Sequence, residues 1–138
     1  MLKILVIGSG AREHAIVRTL SRSPKKKEIY CLATNLNPGI SEVCTDLIVC
    51  DINDPIFVKN FAQDHKFDFA IIGPENPLAN GIADILSDIK IGTIGPKKEL
   101  AQIETSKSFT RNLLAEYKIP GSPKFKMFKT MDGVEAFL

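Results

Sequence analysis

The sequence has little net charge: 18 Lys and Arg against 16 Asp and Glu leave +2 over 138 residues. That balance gives no ground for nucleic acid or an anionic membrane as the main partner. Long apolar runs are missing, and none approaches the roughly 20 residues that span a bilayer. The run Ile4-Leu5-Val6-Ile7 is too short for a signal-peptide core, and charged residues soon follow it. Cysteine is scarce, with Cys31, Cys44 and Cys50 forming an odd number without CxxC spacing. Neither a disulfide framework nor a zinc site is indicated, and buried thiols in a reducing cytosol are expected. Internal repeats and low-complexity tracts are absent as well. What is present is a hydrophobic fraction of 44%, enough for one domain with its own core and unlike a disordered segment.

Short apolar runs alternate with helical periodicity, the pattern of a parallel α/β sheet. Leu2–Ile7 reads as a strand ending in the Gly8-Ser9-Gly10 turn, and Arg12 to about Arg22 as a helix with Ile16 and Leu20 on its inner face. Glu28–Leu32 and Leu47–Cys50 are the next strands, with a loop at Asn35–Gly39 between them. Asp54-Pro55 starts a helix: a side-chain oxygen caps free N–H groups, and proline at the first position loses no bond. Phe57, Val58, Phe61 and Ala62 form its expected buried stripe, and His65 at its end is expected at the surface. Phe67–Ile72 is a buried strand, and Gly73-Pro74-Glu75-Asn76-Pro77 follows as a stiff loop. Ile82, Ile85, Leu86 and Ile89 mark one face of a helix, and Ile91–Ile94 is a last strand. The expected architecture is an open, doubly wound parallel sheet.

Beyond Gly95 the rhythm changes. Residues 1–95 hold 10 basic and 11 acidic side chains, whereas residues 96–138 hold 8 and 5. Lys97–Glu104 and Ser106–Lys118 read as helices, the second capped by Thr105 or Ser106, striped by Phe109, Leu113 and Tyr117, and stopped at Pro120. Lys124–Phe128 is expected as a further strand and Thr130–Leu138 as the start of a helix, cut off in mid-pattern as in a piece of a longer protein.

Two loops carry chemistry. Gly8-Ser9-Gly10-Ala11-Arg12-Glu13-His14 joins a strand to a helix, where glycines allow close backbone approach and the helix start offers free N–H groups to an anion such as phosphate. A nicotinamide or flavin site would want a third glycine where Glu13 stands and an acid ending strand two, but that strand ends Cys31-Leu32-Ala33-Thr34. The dinucleotide reading therefore fails on two of three marks. Arg12 reads equally as a bidentate phosphate partner or a solvated helix charge, and His14 as a ligand contact or a group orienting the loop. Gly73-Pro74-Glu75-Asn76-Pro77-Leu78 lies at the carboxyl end of a strand, the edge where open α/β sheets bind ligands. Glu75 there is either an acceptor for hydroxyls or an amine, or an exposed turn residue.

Together these segments resemble the phosphoribosylamine–glycine ligase family. Ile7-Gly8-Ser9-Gly10-Ala11-Arg12-Glu13-His14 is similar to its opening, and Gly73-Pro74-Glu75-Asn76-Pro77-Leu78-Ala79-Asn80-Gly81-Ile82 to its second motif. Gly95-Pro96 with Leu100-Ala101-Gln102-Ile103-Glu104-Thr105-Ser106-Lys107-Ser108-Phe109 resembles its third, and Lys118-Ile119-Pro120 its continuation. Ala11, Asn76 and the Asn37-Pro38-Gly39-Ile40 run depart from the family pattern. The resemblance implies a Rossmann-like domain over residues 1–103 ahead of an ATP-grasp domain that begins within residues 104–138.

It also implies purine-biosynthesis chemistry that joins glycine to 5-phosphoribosylamine using ATP and magnesium in the whole enzyme. Substrate contacts are then expected at Gly8, Ser9, Gly10, Arg12, Glu13, His14, Pro38, Gly39, Gly73, Pro74, Glu75 and Asn76, and an ATP-phosphate contact at Lys107. No catalytic or metal-binding residue and no cofactor is expected in this chain alone, which is expected to be inactive by itself and cytoplasmic. Residues after Pro120 are expected to be mobile, displaced, or packed against a second copy of the chain. The alternative is a stand-alone α/β phosphate- or nucleotide-binding module.

Overall fold

A computed structural model describes all residues, Met1–Leu138. In chain order the elements are β1 (Leu2–Ile7), α1 (Ala11–Ser21), β2 (Lys27–Ala33), α2 (Pro38–Ser41), β3 (Asp46–Val49), α3 (Pro55–His65), β4 (Phe69–Ile72), α4 (Glu75–Ala79), α5 (Ile82–Asp88), β5 (Gly92–Ile94), α6 (Lys98–Thr105) and α7 (Lys107–Glu116). They fall into two compact units, Met1–Ala101 and Gln102–Leu138.

The first unit is built on a five-stranded parallel sheet of order β3-β2-β1-β4-β5. The chain runs outward from β1 to β3 and then crosses to β4, so the order reverses between β1 and β4. Open α/β sheets form their ligand crevice at such a switch point. Ile7 pairs with Leu32 on one side and Ile72 on the other, which brings the carboxyl ends of three strands level. The ladder continues into the loops: Gly8 N–H donates to the Leu32 carbonyl at 2.8 Å and Gly73 N–H to the Ile7 carbonyl at 3.0 Å.

Alternation along the strands makes two cores. Ile4, Val6, Ile29 and Cys31 pack with Val17 of α1 and Ile40 of α2. Leu5, Ile7, Leu32, Ala70 and Ile72 pack with Val58 and Ala62 of α3 and Ile82, Ala83 and Leu86 of α5. Each fully buried aliphatic side chain contributes about 1.5–3 kcal/mol, so the sheet is the rigid body of the unit. Asp54 caps α3 as its sequence predicts, with Oδ1 accepting from Ile56 N–H at 2.9 Å and Phe57 N–H at 3.2 Å.

Several local expectations need correction. Residues 38–41 form a short helix rather than continuing the loop, because Asn37 caps it and Pro38 occupies its first turn. The stiff loop after β4 turns into α4 at Glu75; Pro77 fits because first-turn N–H groups need no helical partner. Phe57 is exposed, stacked on Phe61 with centroids 6.2 Å apart, and Val58 and Ala62 carry the buried stripe. His65 is not at the open surface; its ring stacks on Phe61 at 4.1 Å and meets Tyr30 edge-on at 5.2 Å.

In the second unit Ser106 caps α7 through Phe109 N–H at 3.2 Å, and Arg111 Nη1 donates to Ser122 Oγ at 2.8 Å. The expected strand at 124–128 and helix at 130–138 do not form. No strand pairs with the first, and an isolated strand leaves its N–H and C=O groups without a ladder. Turns centred near Gly133, at φ 78°, replace the second. No helix is long and apolar enough to cross a membrane.

Candidate functional site

A cavity of about 320 Å³ opens at the carboxyl edge of the sheet, walled by the loops after β1, β2, β3 and β4. Ser9, Gly10, Arg12, Glu13, Thr34, Asn53, Pro74 and Asn76 line it, together with Ile52 and Pro77. A larger hollow of the first unit, lined by Lys66, Phe67 and Lys90, lies away from this edge, and the topology favours the smaller one.

Glu13 organises the cavity from beneath. It sits on α1 at the i, i+4, i+7 spacing of Glu13, Val17 and Leu20, so a carboxylate occupies a position on the helix's inner stripe and is only 3% exposed. Glu13 Oε2 accepts from Gly10 N–H at 2.7 Å, and Arg12 Nε donates to Oε1 at 3.1 Å. Glycines surround the carboxyl group for a steric reason. A Cβ at Gly8 would lie 2.7 Å from Glu13 Cγ, one at Gly10 2.9 Å from Oε2, and one at Gly73 would overlap the carboxylate. Gly8 also has φ +128°, a conformation that side chains rarely adopt. The glycine turn is thus wrapped around a buried carboxyl group.

The rest of the wall is tied down by short polar side chains. Ser9 Oγ donates to Asn35 Oδ1 at 2.5 Å and lies 3.0 Å from Thr34 Oγ1. Asn37 Nδ2 donates to the Ser9 carbonyl at 2.9 Å, while its Oδ1 accepts from Ile40 N–H at 3.2 Å. Asn37 thereby joins the cap of α2 to the glycine turn. His14 packs its ring on Gly39, where a Cβ would stand 2.5 Å from Nε2. Thr34, Asn35 and Asn37 escaped the sequence reading because their role is long-range pairing with Ser9, not a local motif.

The expected site residues therefore separate. Gly8, Ser9, Gly10, Arg12, Glu13, Gly73, Pro74 and Asn76 come together at the cavity or directly beneath it. His14 and Gly39 support its rim, with Pro38 in the first turn of α2. Glu75 is exposed at the start of α4 and does not line the cavity; its neighbour Asn76 does. Lys107 belongs to the second unit, where it borders a hollow of about 300 Å³ together with Ser108, Arg111 and Lys126.

The arrangement suits an anion. The first turn of α1 leaves N–H groups without helical partners. Arg12 is about half exposed and uses Nε on Glu13, which leaves the two terminal nitrogens of its guanidinium unpaired. Magnesium does not fit: the only acid on the cavity wall is Glu13, which is already engaged, and no three His, Cys, Asp or Glu side chains converge anywhere in the chain. The cysteines are no better placed for chemistry. Burial raises the Cys31, Cys44 and Cys50 thiols above their ordinary pKa, which disfavours the thiolate.

These features define a Rossmann-like α/β domain whose glycine turn and helix start face a polar crevice at the switch point. The family described as "Phosphoribosylglycinamide synthetase, N domain" matches residues 2–104. The chain belongs to that family. A phosphoribosylamine–glycine ligase of Methanopyrus kandleri is 47% identical over 133 residues, covering 96% of this chain and 30% of the relative. One from Methanocella arvoryzae is 46% identical over 138 residues, 99% of this chain and 32% of the relative. The chain thus spans about a third of the length of these relatives. Among solved structures, N5-carboxyaminoimidazole synthetase from Staphylococcus aureus complexed with ADP matches with a TM-score of 0.74 at 16% identity, over 99% of this chain and 35% of that one. That likeness shows the shared fold.

Proposed function

We propose that this chain supplies the sugar-phosphate-binding part of a phosphoribosylamine–glycine ligase. The observation that carries the reading is the convergence of the Gly8–Gly10 turn, the α1 start and Arg12 on one cavity, in a chain of this family. In that reading the unpaired N–H groups of α1 and the Arg12 guanidinium hold the phosphate, Glu13 keeps the turn in shape, and Asn76 and Pro74 bound the sugar.

The overall reaction proposed for the whole ligase joins glycine to 5-phosphoribosylamine. A carboxylate is a poor electrophile until one oxygen becomes a good leaving group, so ATP phosphorylates the glycine carboxylate. The amine then attacks the acyl phosphate, forming the C–N bond and releasing phosphate, with ADP as the other product. Lys107, beside Arg111 and Lys126, is proposed to meet ATP phosphates. No magnesium-dependent step is assigned to residues of this chain.

The test is a paired assay of the 138-residue chain. It should bind ribose 5-phosphate saturably at the cavity, yet make no glycinamide ribonucleotide from ATP, magnesium, glycine and fresh phosphoribosylamine. Product above background would show that the catalytic groups have been misplaced, and no sugar-phosphate binding would remove the proposed role.

A further inference from the structure

Most polar side chains on the cavity wall are already committed. Ser9 and Thr34 bond to one another and to Asn35, and Glu13 holds Gly10 and Arg12. Asn53 is the exception that burial makes costly. It lines the cavity from the loop after β3, and its side-chain oxygen is enclosed without a hydrogen-bond partner. An enclosed, unpaired carbonyl destabilises the fold unless something repays it.

The backbone around it is fixed. Asn53 N–H donates to Asp51 Oδ1 at 2.9 Å, and the next residue, Asp54, is locked as the cap of α3. The loop therefore cannot drift to relieve the oxygen, whereas the terminal torsion of an Asn side chain is soft and turns readily. Asn53 is also far from Arg12 in sequence and approaches the cavity from a different strand end. A cation serves the phosphate; a neutral group that both donates and accepts suits a hydroxyl.

We infer that Asn53 is the residue that recognises the sugar: its carboxamide turns onto a ring hydroxyl of the bound sugar phosphate and exchanges an unpaired oxygen for a hydrogen-bonded one. The inference rests on the sugar-phosphate reading of this cavity. Asn53 then separates a pentose phosphate from phosphate alone, a distinction that Arg12 and the helix start cannot make.

The experiment uses the 138-residue chain, its Asn53→Ala variant and the shape-preserving Asn53→Leu variant. Binding of ribose 5-phosphate and of inorganic phosphate is measured by calorimetry, and thermal unfolding is followed without ligand. Both variants should bind ribose 5-phosphate about five- to tenfold more weakly, bind inorganic phosphate within twofold of the parent, and unfold no earlier than it. Unchanged ribose 5-phosphate affinity would overturn the inference while leaving the cavity reading intact. Equal weakening for both probes, with earlier unfolding of both variants, would also overturn it and make Asn53 a structural residue. No saturable binding of ribose 5-phosphate by the parent chain would remove the cavity reading and the inference together.

Discussion

Glu13 is the residue on which the shape of the cavity depends most, and its replacement has a computable cost. The carboxylate accepts a short bond from Gly10 N–H at 2.7 Å and one from Arg12 Nε at 3.1 Å, and its side chain is almost fully buried. A hydrogen bond to a charged group contributes about 1.5–3 kcal/mol and a neutral one about 1 kcal/mol. Glu13→Gln keeps the shape and one acceptor, so it should cost about 1–2 kcal/mol. The Arg12 pair adds little to this, because Arg12 is exposed. Glu13→Ala strands the Gly10 N–H and leaves a void among three glycines, so about 3–4 kcal/mol is expected. For a body of this size each kcal/mol lowers the melting temperature by about 4–8 °C. The assay is urea unfolding followed by far-UV circular dichroism, since the sequence has no tryptophan to report by fluorescence. Gly73→Ala supplies an internal check. It should be costly in the parent, where the added methyl meets the Glu13 carboxyl, and much better tolerated beside Glu13→Ala. If Gln and Ala variants both lie within about 0.5 kcal/mol of the parent, the wrapped-carboxylate argument is wrong.

Other consequences can be measured independently. Gly39→Ala should destabilise by about 1–3 kcal/mol through collision with the His14 ring, and adding His14→Ala should recover part of that loss; additive effects in a double-mutant cycle would contradict the packing. Burial raises the Cys31 pKa in the folded state, so its contribution is fully present below the unfolded value of about 8.5 and declines as pH rises beyond it, by up to about 1.4 kcal/mol per pH unit. Urea midpoints between pH 8 and 10 should fall less steeply for Cys31→Ala than for the parent, and an identical slope would exclude the thiol as the source. NADH at millimolar concentration should give no saturable heat in calorimetry, because Glu13 stands where a dinucleotide site needs its third glycine and no acid ends β2; saturation would revive a dinucleotide site.

Much of this was legible in local sequence. β1 and its glycine turn, the Asp54-Pro55 helix start and the alternation of strands with helices rest on short-range rules, and the sheet follows them. What local rules concealed was the direction of single side chains. Glu13 looked like a charge at the ligand, yet the helix repeat it shares with Val17 and Leu20 turns it inward, where three glycines make room. Glu75 looked central because two prolines flank it, but the chain enters α4 there and presents Asn76 to the cavity instead. Asn53 carries no motif, and the tie from Asn37 to the Ser9 carbonyl arises only when strand ends distant in sequence become neighbours. The alternation of Lys124, Phe125, Lys126 and Met127 suits a strand, but a local pattern cannot say whether an edge is available to pair with.

The central claim is that the cavity beside the Gly8–Gly10 turn binds a sugar phosphate. The most direct measurement is an amide chemical-shift titration of the isotopically labelled chain with ribose 5-phosphate, repeated for Arg12→Ala. The account predicts saturable shifts at Ser9–Arg12, Asn53 and Gly73–Asn76, with affinity at least tenfold weaker in the Arg12 variant. Shifts confined to Lys107, Arg111 and Lys126, or an Arg12→Ala titration indistinguishable from the parent's, would contradict it.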